Sequence, residues 1–119
     1  MIIVHSGNAS WQLKKPLIYS KIIKGELIPV HEKAQYYYDL AKKKRNFHVP
    51  IKDKIYAKQI HLYVDDFTYS GTNAAIEFRK VTKMELVRKN QGLLALTYGT
   101  LAAGASIGGF VLYLIDSWS

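Results

Sequence analysis

The 119-residue chain has no cysteine, which excludes disulfide staples and thiolate metal sites. Acid is also scarce: nine Asp and Glu stand against seventeen Lys and Arg, for a net charge of +8. The motifs that carry catalysis are missing too. There is no Gly-rich phosphate loop, no nucleophile elbow and no HExxH. His5, His31, His48 and His61 stand alone, without a second ligand at the spacings metal sites use. Asp65-Asp66 suits a turn better than a cation site, and Tyr36, Tyr37 and Tyr38 on one helix cannot all face the same way. From these absences the chain reads as a non-enzyme with no catalytic residue, cofactor or metal.

A further absence is local. Gly92 to Ile115, GLLALTYGTLAAGASIGGFVLYLI, contains no charged residue, and only Asp116–Ser119 follow it. A run of this length predicts a transmembrane helix, about 36 Å long against a hydrocarbon core of about 30 Å. Small residues recur along it at four-residue spacing. Ala95, Gly99 and Ala103, with the GxxxG pair Gly104 and Gly108, predict a face that docks on other helices. Tyr113 and Trp118 fit an interfacial aromatic anchor.

What precedes the run is basic. Every Lys and Arg lies before Gly92, which places the N-terminal part on the side where insertion begins. Arg79, Lys80, Lys83, Arg88 and Lys89 lie nearest the run and are expected to meet anionic lipid headgroups such as cardiolipin. Nucleic acid is the weaker reading of the charge, because Arg is scarce and no nucleic-acid fold signature is present. From Ala74 the sequence AAIEFRKVTKMELVRKN has helix formers and no breaker, so one long helix is expected over about 73–116.

Residues 1–72 read as an arm without its own globular core. Pro16 opens a short amphipathic helix over about 16–24, and a second helix over 29–45 places Val30, Ala34, Tyr37, Tyr38 and Ala41 on one face. Residues 55–69 are ambiguous: Ile60, Leu62 and Val64 alternate with His61 and Tyr63, as in a strand ended by Asp65-Asp66. The resulting fold class is mainly α. An arm (1–72), a basic juxtamembrane helix (73–91), a transmembrane helix (92–115) and a short tail (116–119) follow one another.

With basic residues 79–89, the span 92–115 and the tail 116–119, the layout resembles the small single-span accessory subunits of mitochondrial inner-membrane respiratory complexes. That resemblance implies a non-catalytic subunit bracing others in a hetero-oligomeric complex. Its N-terminal part would lie in the matrix and its C-terminus in the intermembrane space. An ATP synthase accessory subunit, or a tail-anchored adaptor of the endoplasmic reticulum or mitochondrial outer membrane, is the alternative.

Overall fold

A computed structural model describes residues 1–19, 21–44, 46–88 and 92–97 of the chain, the last segment and Arg88 by their backbone. Strand β1 (Ile2–Ser6) turns into β2 (Ala9–Tyr19), and β3 (Ile22–Ile28) follows. Helix α1 (Glu32–Lys43) and the single turn α2 (Lys54–Ala57) lead to β4 (Gln59–Val64). Then come β5 (Thr68–Ser70), β6 (Asn73–Glu77), β7 (Val81–Arg88) and β8 (Gly92–Thr97). Among the described residues these form one eight-stranded sheet in the order β5-β6-β3-β2-β1-β4-β7-β8. Neighbours are antiparallel except the interior pair β1–β4, which is parallel and joined through β2, β3 and the helices.

The local chemistry explains the turns. Ser6-Gly7-Asn8-Ala9 and Ser70-Gly71-Thr72-Asn73 are two-residue hairpin loops with Gly first at φ +60. A positive φ at that position alone is the type II′ pattern that matches strand twist. Lys15, at φ 52, marks a bulge in β2, where the register with β3 shifts between Lys14 and Leu17. Opposite it Gly25 lies so close that a Cβ would stand 2.6 Å from Leu13 Cγ.

The two sheet faces differ in chemistry. On one, Trp11, Val4, Leu62 and Met84 lie in a row across β2-β1-β4-β7, beside the row Leu13, Ile2, Ile60 and Leu86. With Ile23, Ile76, Phe78 and Val81 these make the main apolar core. The other face carries α1. His31 caps the helix, its Nδ1 accepting from Lys33 N at 3.1 Å. Ala34, Tyr37, Tyr38 and Ala41 form the helix's buried side. Tyr37 packs on Val49 and Ala57, and Tyr38 and Ala41 pack on Val87.

This architecture corrects the mainly helical reading. The 29–45 expectation corresponds to α1, but 16–24 falls in β2 and β3, and 73–91 holds β6, a 3-10 turn (Phe78–Lys80) and β7. The expected transmembrane helix opens instead as β8, paired to β7 from Arg88↔Gly92 to Lys83↔Thr97. No helix among the described residues is long and apolar enough to cross a membrane. The single-span subunit, its respiratory-complex and cardiolipin partners and its inner-membrane placement all rested on that helix, and they fall with it. In place of an arm without a core there is a compact mixed α/β domain.

Candidate active site

The helix-covered face of the sheet is polar where it should be apolar. Gln59, His61 and Glu85 are almost wholly buried, and Tyr38 is 5 % exposed. Strand pairing assembles them: Ser10↔His5↔Tyr63↔Lys83 form one row across β2-β1-β4-β7, and Ile3↔His61↔Glu85 lie in the next. Two linked sets of hydrogen bonds result.

The first set is a linear relay. Gln59 Nε2 donates to the carbonyls of Ala34 (2.7 Å) and Tyr56 (2.5 Å), so its amide orientation is determined. Gln59 Oε1 must then accept, at 2.6 Å, from His61 Nε2. Burial, followed by the positive charge of His5, Lys42 and the N-terminus, pushes His61 down to about 2, so its imidazole is neutral. Its Nδ1 is therefore an acceptor, and His5 Nε2 donates to it at 2.7 Å. Burial also lowers His5, with Lys42 and Lys83 adding to the effect and Glu85 opposing it. On a neutral His5 with its proton on Nε2, Nδ1 is bare. It accepts from the exposed hydroxyl of Ser10, whose Oγ lies 2.7 Å away. Two backbone carbonyls in the interior thus dictate the proton position at a surface hydroxyl four side chains along.

The second set clamps the first. Tyr38 and Tyr63 both donate to Glu85 Oε1, Tyr38 at 2.5 Å, and their hydroxyls lie 2.5 Å apart. Burial alone would raise the Glu85 carboxyl. The two phenols, with Lys83 and Lys42, outweigh it and hold the group below its usual range. Burial and the carboxylate push Tyr63 up to about 12 and Tyr38 higher still, so both remain donors. Their rings sandwich the imidazoles: Tyr63 stacks on His5 at 4.3 Å and Tyr38 on His61 at 3.9 Å. Lys42 lies 4.2 Å above the Tyr38 ring, and Lys83 lies 4.9 Å above that of Tyr63.

Of the residues assigned to lipid contact, Arg79 pairs with Glu77 at 2.9 Å and Lys80 with Asp66 at 3.4 Å. Lys83 joins this site through Glu85 at 3.6 Å. Arg88 ends β7 opposite Gly92, and Ala95 of the docking set is opposite Glu85 in β8. Lys89, Gly99, Ala103, Gly104, Gly108, Tyr113 and Trp118 lie outside the described residues. Among the described residues no group of three or more His, Cys, Asp or Glu is placed to hold a metal.

Two histidines read as solitary are thus partners, 56 residues apart in sequence. Gln59, His61 and Tyr63 alternate with Ile60, Leu62 and Val64, a pattern that a strand with one solvated face shows equally, so the sequence does not mark this polar side as buried. Compared with known protein families, with curated proteins and with solved structures, the chain matches none.

Proposed function

We propose that the domain is a hydrolase that works by acyl transfer, with Ser10 as nucleophile, His5 as general base and His61 as the group that holds His5 in its reactive tautomer. One observation carries the reading: an unbroken relay with a fixed proton direction ends at an exposed hydroxyl. Buried polar groups with displaced proton affinities concentrate where proteins do chemistry. In the reaction Ser10 Oγ bonds to the carbonyl carbon of an ester while its proton passes to His5 Nδ1. His5 then gives that proton to the departing alkoxide as the acyl–oxygen bond breaks. Water, deprotonated by His5, releases the acid and restores Ser10. Glu85 favours the transient imidazolium on His5, while Lys42 and Lys83 oppose it and keep the resting imidazole neutral.

The test is labelling with a fluorophosphonate together with hydrolysis of a p-nitrophenyl ester. We expect adduct mass on the peptide containing Ser10, none in Ser10→Ala, and a fall of about 10²–10⁴-fold in rate for His5→Ala. A folded wild-type protein that neither takes the label nor shows Ser10-dependent turnover refutes the reading.

A second reading is the sequence-based expectation of no turnover. It is favoured by the internal partners of Gln59, His61 and Glu85, which let the network serve only to fasten α1 to the sheet. The same labelling experiment separates the two.

A further inference from the structure

On the opposite face of the sheet, near the β1–β2 turn, Trp11, Leu27, Pro29, Phe67 and Tyr69 line a cavity of about 540 Å³, with Asp65 and Asp66 also in its lining. This is the size range of small-ligand sites. Its three rings are mutually inclined. Trp11 meets Phe67 edge-on at 5.7 Å and 83°, and Phe67 meets Tyr69 at 5.7 Å and 52°. The loop that bears Phe67 is tied down by Ser6 Oγ, which donates to the Asp65 carbonyl at 2.9 Å. Trp11 and Phe67 are half-buried against the main core, whereas Tyr69 is 65 % exposed. Rigid rings with an adjustable exposed third are suited to enclosing a rounded group.

Charge decides which group. The chain is strongly basic, yet the side chains at this cavity are aromatic, aliphatic, hydroxyl and acidic, with no Lys or Arg among those lining it. Asp66 shares its charge with Lys80, whereas Asp65 makes no ion pair among the described residues. An anion is disfavoured here. A primary ammonium would lose its hydration shell against apolar walls. An alkylated ammonium, weakly hydrated and attracted to ring faces, meets both conditions.

We propose that this cavity binds an alkylated ammonium group, with Trp11, Phe67 and Tyr69 as the cage and Asp65 as the counter-charge. The inference is independent of the Ser10 chemistry, which lies on the other face. Choline and its uncharged isostere 3,3-dimethylbutan-1-ol, titrated into the full chain and followed by the Trp11 indole NMR signal, test it. The signal absent from Trp11→Phe supplies the assignment. Choline should bind about tenfold more tightly than the isostere. Tyr69→Ala, at an exposed position that leaves the fold intact, should weaken choline binding by a similar factor. Asp65→Asn should weaken choline binding but not that of the isostere. Equal binding of the two probes, no response at Trp11, or full affinity in Tyr69→Ala overturns the proposal.

Discussion

Acidification should destabilise this domain well above the pH at which its carboxylates titrate. His61 sits near 2 in the native state and at about 6.5 in an unfolded chain. A histidine lowered by folding takes up its proton only on unfolding. Its contribution is therefore intact above pH 6.5 and is lost as the pH falls below that value. Relative to alkaline pH, one such group has cost about 2.7 kcal/mol by pH 4.5, two units below its unfolded value at about 1.36 kcal/mol per unit. That is a large share of a stability of about 5–15 kcal/mol. His5, lowered as well, adds in the same direction, and so does the buried Met1 amino group from pH 8 downward. The held-down carboxyls of Asp53 and Glu85 have the same sign but enter only below their ordinary values of 3.8 and 4.5. Urea unfolding followed by circular dichroism at four pH values from 7.5 to 4.5 measures the loss, with an expected midpoint shift of about 1–2 M. His61→Asn keeps a side-chain acceptor for His5 but cannot titrate, so it should flatten the slope even though the variant starts less stable. An unchanged midpoint across that range, or the same slope in His61→Asn, would refute the neutral buried relay.

Two further perturbations probe the frame of the site. Gly25→Ala should cost about 1–3 kcal/mol, because the new methyl meets the buried Leu13 side chain and, at 3.0 Å, the Lys14 carbonyl; a lowered urea midpoint at unchanged m-value checks it. Glu85→Ala should cost about 3 kcal/mol by removing the acceptor shared by Tyr38 and Tyr63, with weakened near-ultraviolet tyrosine dichroism as the accompanying sign.

Part of this fold was legible in the residues. The α1 stripe of Ala34, Tyr37, Tyr38 and Ala41 follows a period of 3.6, and it is the side the helix buries. The alternation around His61 likewise marks β4. The rest misled for physical reasons. In β6 and β7 the residues Ala74, Ile76, Met84 and Leu86 join the main core with a period of two, while Glu85 and Val87 are buried on the other face, so a helical reading finds only the lack of a clean stripe. GLLALT is apolar on successive positions, and such a run suits a buried strand as well as a helix. Its adjacency to eighteen more uncharged residues tipped the balance toward a membrane. The candidate site was beyond reach for a different reason: Ser10, His5, His61 and Glu85 become neighbours only through register, and register is a property of the folded sheet.

The parallel seam between β1 and β4 has a consequence for biosynthesis. The ribosome releases β1 and its hairpin partner first, but the other flank of β1 stays open until residues 59–64 have emerged. Local hairpins close early, whereas contacts across so long a stretch of chain close late. The histidine pair straddles that seam, so a nascent or truncated polypeptide ending before β4 has the hydroxyl and the first imidazole without the second. Whatever chemistry the pair supports is thereby withheld until the interior of the sheet is sealed.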